Sequence, residues 1–142
     1  MGQRYKAGLL CWLLLLLLGW AVPPSTFADE PAPLVAAQHF LDRLDAGDYS
    51  GAWDLLDAYS RRLEESSHWW HTLSVVREAY GPLQQREPGI LSERNSYFQH
   101  PDGAYVVACF RSRFAFKAAA VETVVLRLEP NGSLSVIRYV IN

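Results

Sequence analysis

Residues 120–141 read AVETVVLRLEPNGSLSVIRYVI, and this stretch predicts a β-hairpin. Apolar side chains alternate with polar ones on both sides of Asn131-Gly132, the dipeptide most typical of a tight turn between two strands. We therefore expect antiparallel strands over residues 120–129 and 133–141. The C-terminal part of the chain is accordingly a sheet-forming region.

The sequence before the hairpin predicts further strands. The turn signal PDG at residues 101–103 precedes a long strand-like run over residues 104–116. Residues 83–97 are ambiguous, because a Pro-Gly pair at residues 88–89 interrupts them. Together these segments predict an antiparallel sheet of about four strands.

Side chains alternate between the two faces of a strand, so the apolar positions indicate which face of the sheet is buried. Glu122 is the one acid on the side that we expect to face the core. The residues predicted to point inward are Val106, Ala108, Phe110, Phe114, Phe116, Glu122, Val124, Leu126, Leu128, Ile137, Tyr139 and Ile141.

The outward side of the sheet keeps more apolar surface than a solvated sheet face usually carries. Two explanations stay open, a homodimer through the outer sheet face and the ordinary preference of β-branched residues for strands. The outward apolar residues are Tyr105, Val107, Val125, Val136 and Val140.

The first half of the chain has the periodicity of helices. Apolar residues recur at helical spacing over residues 34–44, and a second short helix is expected around residues 50–58. A third helix is expected to start from a cap at Ser66 or Ser67 and to end at Tyr80. Helices followed by an antiparallel sheet predict an α+β domain, with N-terminal helices packed on one face of the sheet.

The first 28 residues have the features of a cleavable signal peptide. A basic start is followed by a leucine-rich run, and small residues precede a cleavage site that we place after Ala28. The apolar run is short for a membrane span, and a proline pair ends it. We therefore expect residues 29–142 to form a single domain of a periplasmic or secreted protein, which touches the membrane only through the signal peptide before cleavage.

Removal of the signal peptide changes the charge balance. The full chain has 13 Lys and Arg against 15 Asp and Glu, and Arg4 and Lys6 leave with the leader. The remaining 11 basic residues against 15 acidic ones give a net charge of about −4, so nucleic acid is not an expected partner. Cys109 then remains as a lone cysteine, which excludes an intramolecular disulfide and fits a buried small apolar side chain.

Several short motifs occur in order along most of the chain. They are DAGDY (45–49) with Trp53 downstream, PDGAYVV (101–107), KAAAVETV (117–124) and NGSLSVIRYVI (131–141). Together they resemble the bacterial domain of unknown function 4019 family. The resemblance implies a small exported bacterial protein in which helices precede a curved antiparallel sheet, an order similar to the nuclear-transport-factor-2-like cone, the fold shared with ketosteroid isomerase. It implies no activity.

The stretch SHWWHTL at residues 67–73 contains two histidines three residues apart. At 100° per residue, Trp69 and Leu73 fall on one apolar stripe of a helix, while His68 and His71 lie on the opposite side. The next turn on that side supplies no further ligand, although zinc needs three or four. We therefore expect no metal site and no cofactor, and we expect both histidines to lie on a solvated face.

Glu122 is the strongest candidate for a functional side chain, because it is an acid on the buried face. Ketosteroid-isomerase-like chemistry needs a carboxylate base in an apolar pocket and a neutral donor, for which Tyr139, Tyr80 and Tyr49 are candidates. Arg77 and Arg86 are equally placed to pair with Glu122, and a paired carboxylate is a poor general base. Three roles thus stay open for Glu122: a structural ion pair, a ligand anchor and a catalytic base.

Three functions are compatible with the sequence. The first is a non-catalytic module of the bacterial cell envelope that binds a small molecule or a partner protein. The alternatives are a ketosteroid-isomerase-like enzyme that uses Glu122 and a pocket tyrosine, and a self-associating structural module with no pocket. An open pocket with Glu122 paired would favour the first function, an open pocket with Glu122 unpaired the second, and a closed core the third.

Overall fold

The computed structural model of the protein describes residues 31–142, so the predicted signal peptide lies outside the described residues. Within this range helices come first and strands follow. The helices are α1 (Ala32–Asp45), α2 (Tyr49–Asp54), α3 (Ser60–Leu63) and α4 (Ser66–Tyr80), and the strands are β1 (Leu83–Arg94), β2 (Tyr105–Phe114), β3 (Ala120–Leu128) and β4 (Leu134–Ile141). The predicted α+β class, with helices before a curved antiparallel sheet of four strands, is confirmed. None of the helices in residues 31–142 combines the length and the apolar character that crossing a membrane takes.

The sheet is an antiparallel meander in the order β1-β2-β3-β4. β3 and β4 form the hairpin that the sequence predicts, and Gly132 in its turn has a φ of +84°. β1 is continuous, although its register with β2 shifts between Pro88 and Leu91. The Pro-Gly pair therefore disturbs the pairing of this edge strand without ending it.

A β-bulge in β4 changes which of its residues face the core. Leu126 pairs with Val136, whereas Val125 pairs with Arg138, so Ile137 is an additional residue in β4. Val136 is buried in the main core, and Ile137 belongs to a separate cluster. The predicted inward position of Ile137 and outward position of Val136 are therefore wrong, because regular alternation does not anticipate an extra residue.

Two further inward predictions are wrong at the ends of strands. β2 ends at Phe114, and Phe116 is 76% exposed. The backbone N–H of Phe116 donates to the carbonyl oxygen of Tyr80 at 2.9 Å, so the chain has left the sheet ladder there. Leu128, the last residue of β3, is 47% exposed beside the hairpin turn. Alternation in a sequence thus continues past the point at which burial stops.

The main core lies between α1 and the inner face of the sheet. The buried residues of α1 recur at the predicted helical spacing, and they are Leu34, Ala37, Phe40, Leu41 and Leu44. The buried strand residues packed with them are Ala108, Phe110, Val124, Leu126 and Val136. This packing holds the last turn of α1 against the sheet.

The segment after α1 closes one end of the core. Asp48 caps α2 by accepting the backbone N–H of Gly51 at 2.9 Å, which satisfies one of the free donors at the start of the helix. Leu56 then forms an isolated bridge with Val136. α2 is shorter than the predicted helix over residues 50–58, because the chain turns there to pair with the edge of β4.

α4 begins after Glu65, slightly earlier than the predicted serine cap, and it ends at Gly81. Gly81 has a φ of +75° and a ψ of −175°, a backbone conformation that is essentially restricted to glycine. Trp69 and Leu73 pack on the main core, but both are only partly buried. The space between α4 and β4 is therefore not completely filled.

A second small cluster consists of Tyr105, Val125 and Ile137, with Tyr97 and Val107 packed against it. Tyr97 lies in the segment between β1 and β2, and its ring centroid is 6.0 Å from that of Tyr105. The chain itself thus covers part of the outer apolar surface that suggests a homodimer. The homodimer stays a prediction.

Candidate functional site

Glu122 lies in β3, and its side chain is 0% exposed. Its Oε1 accepts hydrogen bonds from Arg77 Nη1 at 2.9 Å and from the Tyr139 hydroxyl at 2.8 Å. Its Oε2 accepts from Arg86 Nε at 2.7 Å and from the Ser112 hydroxyl at 2.5 Å. Each carboxylate oxygen thus has two donors, which offsets the cost of burying a charge.

A second carboxylate, Asp45, binds the same two arginines. Its Oδ1 accepts from Arg77 Nη2, and its Oδ2 accepts from Arg86 Nη1 at 2.6 Å. The Asp45 side chain is 20% exposed, so the group reaches solvent at Asp45 and not at Glu122. We call Asp45, Arg77, Arg86 and Glu122 the charge cluster, and its formal charges cancel.

Four separate elements supply the charge cluster. Asp45 ends α1, Arg77 lies in the last turn of α4, Arg86 lies in β1, and Glu122 lies in β3. The guanidinium carbon of Arg77 is 4.9 Å from the centroid of the Phe114 ring, which adds a cation–π contact. The cluster therefore ties the C-terminal ends of both long helices to the sheet.

The surroundings of Arg77, Arg86 and Tyr139 shift the pKa of each of these side chains. Burial alone would lower the pKa of Arg86, but its hydrogen bonds to Asp45 and Glu122 outweigh burial and raise the pKa. Burial also opposes the charge of Arg77, yet Tyr139, Asp45 and Glu122 raise its pKa overall. Burial, followed by the charge of Glu122, raises the pKa of Tyr139. Both arginines therefore stay charged and Tyr139 stays neutral at physiological pH.

The structure brings four of the five predicted site residues together, namely Glu122, Arg77, Arg86 and Tyr139. It places the fifth, Tyr80, elsewhere. The Tyr80 ring lies 5.7 Å from the Phe114 ring, and the Lys117 ammonium lies 5.7 Å from the Tyr80 centroid. Tyr80 thus packs at the end of β2 and makes no hydrogen bond to the charge cluster.

Sequence reasoning missed two members of this site, Asp45 and Ser112. Asp45 appears in the sequence only as part of a turn after a helix, and nothing in that pattern points it at an arginine. Ser112 lies between Phe110 and Phe114 on the predicted inward side of β2. A polar residue at an inward position is a signal that would have identified Ser112 as a partner for Glu122.

A cavity of about 370 Å³ lies between α4 and β4, and we call it the side cavity. Tyr139 lines it, whereas Glu122 does not. Its aromatic walls are formed by Trp53, Trp69, Phe98 and Tyr139. Polar side chains at the side cavity belong to Ser60, Glu64, Thr72, Gln99, His100 and Arg138.

The segment between β1 and β2 forms one rim of the side cavity. Phe98 is 80% exposed there, and Gln99 has a φ of +60°. His100 holds the segment in place, since its Nδ1 lies 3.1 Å from the carbonyl oxygen of Phe98 and its Nε2 lies 3.3 Å from the Ser60 hydroxyl. The Tyr59 ring packs edge-on against His100 with 5.1 Å between centroids. The rim thus presents an exposed apolar ring on an anchored segment.

His68 and His71 lie on the exposed side of α4, where the helical angles place them. His68 Nδ1 is 3.5 Å from Glu64 Oε1. Within residues 31–142, no three ligating side chains converge on a common point.

Cys109 is partly buried, and its sulfur lies 3.7 Å from the Thr123 hydroxyl. Three further cavities of about 370 to 460 Å³ lie elsewhere among the described residues, and all three are more open to solvent than the side cavity.

Comparison with known proteins points to a family. The family model described as "Protein of unknown function (DUF4019)" matches residues 36–139, which is most of the chain. The match confirms the family resemblance predicted from the sequence motifs. No curated protein and no solved structure matches the chain. The matched residues include the whole charge cluster and every residue that lines the side cavity.

Proposed function

The chain belongs to the DUF4019 family of proteins of unknown function, and from this premise we propose that it is a non-catalytic binding module of the bacterial cell envelope. The side cavity is its binding site, and a small molecule is its ligand. The observation that carries the proposal is the complete pairing of Glu122 beside an open cavity. Of the three functions compatible with the sequence, this combination favours the first.

Glu122 lacks the properties of a catalytic base. A general base must come within about 3 Å of the proton that it removes, and it must be able to accept that proton. Glu122 is fully buried, it does not line the side cavity, and Arg77 and Arg86 both bind its charge. These contacts support a structural role for Glu122, and they weigh against the ketosteroid-isomerase-like alternative.

Tyr139 connects the charge cluster to the side cavity. Its hydroxyl donates to Glu122, and its ring packs against Phe40 with 5.7 Å between centroids. A tyrosine held at both ends provides a rigid wall for the cavity. In this proposal the charge cluster therefore positions a binding surface and takes no part in a reaction.

The side cavity has the size of a small-molecule site, and its lining is divided about equally between aromatic or aliphatic surface and polar surface. Ligand pockets typically measure about 300 to 1,000 Å³. The volume of about 370 Å³ lies at the lower end of that range. The Trp53 and Trp69 rings meet edge to face with 5.5 Å between centroids, which gives the site stiff aromatic walls. An open cavity of this kind argues against a structural module with a filled core.

The location in the cell envelope rests on the first 28 residues. Their basic start, apolar run and small residues before Ala28 are typical of a cleavable signal peptide. In the proposal the mature protein begins at Asp29 and functions in the periplasm or outside the cell.

Native mass spectrometry of the protein purified from the periplasm of its own bacterium tests the proposal. The expected mass is that of a chain beginning at Asp29 with a non-covalent small molecule, which collisional activation releases. Wild-type protein that carries no small molecule contradicts the proposed binding. A chain that retains residues 1–28 contradicts the proposed export.

Two tryptophan variants on α4 locate the ligand. Thr72 lines the side cavity, so Thr72→Trp places an indole in it and should yield protein without ligand. Val75 is 52% exposed on the same helix and does not line the cavity, so Val75→Trp should keep the ligand. If both variants carry the same amount of ligand, the ligand binds elsewhere.

A further inference from the structure

Resting on the proposed function, we propose that the ligand of the side cavity has a flat apolar body and a single anionic group, and that Arg138 binds the anion. The apolar walls select the body of the ligand. The polar groups around the cavity that lack partners determine which charge on the ligand is favoured.

The walls of the side cavity favour a flat apolar body. Trp53, Trp69 and Phe98 present ring surfaces, and Leu63 lies at the same cavity. Phe98 is 80% exposed and Leu63 is 61% exposed, so both contact water in the empty protein. A bound ring system would cover them, and the apolar area removed from water would favour binding.

Most polar groups of the side cavity already have partners. The Tyr139 hydroxyl is engaged by the charge cluster. The Ser60 hydroxyl donates to the carbonyl oxygen of Ile137 at 3.0 Å. His100 uses both ring nitrogens, one toward Ser60 and the other toward the carbonyl oxygen of Phe98. These groups shape the cavity, but they leave the recognition of a charged ligand to other side chains.

One acidic and one basic side chain, Glu64 and Arg138, lie at the side cavity, and their surroundings differ. Glu64 has a side-chain partner, since its Oε1 lies 3.5 Å from His68 Nδ1. Within residues 31–142, the Arg138 guanidinium forms no hydrogen bond or ion pair with another side chain. Arg138 is therefore the charged side chain at the cavity that has no side-chain partner among the described residues.

The position of Arg138 is fixed by the sheet. Arg138 pairs with Val125 of β3, directly after the bulge at Ile137. Bulges often occur where a strand re-aims a side chain next to a binding site. A guanidinium fork suits a planar anion such as a carboxylate, which it binds through two parallel hydrogen bonds.

Two fluorescent probes that differ in one group test this inference. 8-Anilinonaphthalene-1-sulfonate has the ring system of the neutral N-phenyl-1-naphthylamine and adds an anionic sulfonate. Wild-type protein should bind each probe at one molecule per chain. Arg138→Gln should weaken binding of the sulfonate probe about two- to fivefold, as expected for one solvent-accessible ion pair, and should leave the affinity for the neutral probe unchanged.

The control variant is Arg113→Gln, which removes the same charge from an exposed arginine away from the side cavity. It should change the affinity for neither probe. Unchanged sulfonate binding in Arg138→Gln, or an equal loss in both variants, would overturn the role of Arg138 while the proposed function stands. If neither probe binds, because a partner segment or a second copy of the chain fills the cavity, the proposed function fails with the inference.

Discussion

Glu122 is a fully buried acid, and its contacts decide what it does. Burying a carboxylate is costly unless donors and opposite charges surround it, and Glu122 has both. A buried ion pair adds little net stability compared with apolar packing, but removing one partner leaves an uncompensated charge. The charge cluster thus makes the fold depend on each of its members.

Replacing Glu122 with glutamine should lower the free energy of unfolding by about 3 kcal/mol, because Arg77 and Arg86 then lose a buried counterion. Urea denaturation followed by circular dichroism measures this loss. Glu93→Gln is the matched control, since Glu93 is exposed in β1, and it should change stability little. A Glu122→Gln protein as stable as wild type would contradict the structural role of the ion pairs.

Tyr139 should make stability sensitive to alkaline pH. Its folded pKa is raised, by burial first and then by the charge of Glu122, above the unfolded value of about 10. Its stabilising contribution is therefore complete below about pH 10 and is lost as the pH rises above that value. The stability of wild type should fall more steeply above about pH 10 than that of Tyr139→Phe, and equal slopes in denaturant titrations would contradict this. At neutral pH the free energy of unfolding of Tyr139→Phe should be about 1 to 2 kcal/mol lower than that of wild type.

Most helices and strands were predictable because they have a local signal, whereas the short helix α3 was not predicted and the β1 segment was ambiguous. The Asn131-Gly132 turn marks the β3–β4 hairpin, and helical spacing of apolar residues marks α1 and the packed stripe of α4. The bulge at Ile137 was not predictable, because it depends on how β4 meets both β3 and the segment near Leu56.

The candidate site was only partly predictable, because some of its residues have a local signal in the sequence and others do not. Glu122 and its arginines stood out as charges near an apolar face. Asp45 did not, because its role depends on where α1 ends relative to β1, which is a tertiary distance. The side cavity also lacks a sequence signal, since it arises from incomplete packing between α4 and β4.

The junction of α4 and β1 should depend on Gly81. A Cβ added there would come within 2.7 Å of the Phe116 ring, and the backbone has a φ of +75°. Gly81→Ala should therefore lower the free energy of unfolding by about 2 kcal/mol. Gly132→Ala should lower it less, because Gly132 also has a positive φ of +84° but no heavy atom lies within 4 Å of an added Cβ. Thermal or urea unfolding compares the two variants. An equal or smaller cost at Gly81 would show that this junction is not constrained as the structure indicates.

For the whole molecule, the homodimer through the outer sheet face remains a prediction. Val107, Cys109 and Val140 stay partly exposed on the strands, although the Tyr97 segment covers their neighbours. Sedimentation velocity at micromolar concentration should show a species of two chains, and Val140→Asp should shift it toward one chain. A wild-type protein that sediments as a monomer would rule the dimer out.

The proposed binding function depends on whether the side cavity admits an apolar small molecule. Titration of wild type, Thr72→Trp and Val75→Trp with N-phenyl-1-naphthylamine, followed by energy transfer from tryptophan, tests this directly. We predict saturable binding of one probe per chain in wild type and Val75→Trp, and loss of binding in Thr72→Trp with unchanged circular dichroism. Binding of equal strength in Thr72→Trp and wild type would contradict the account.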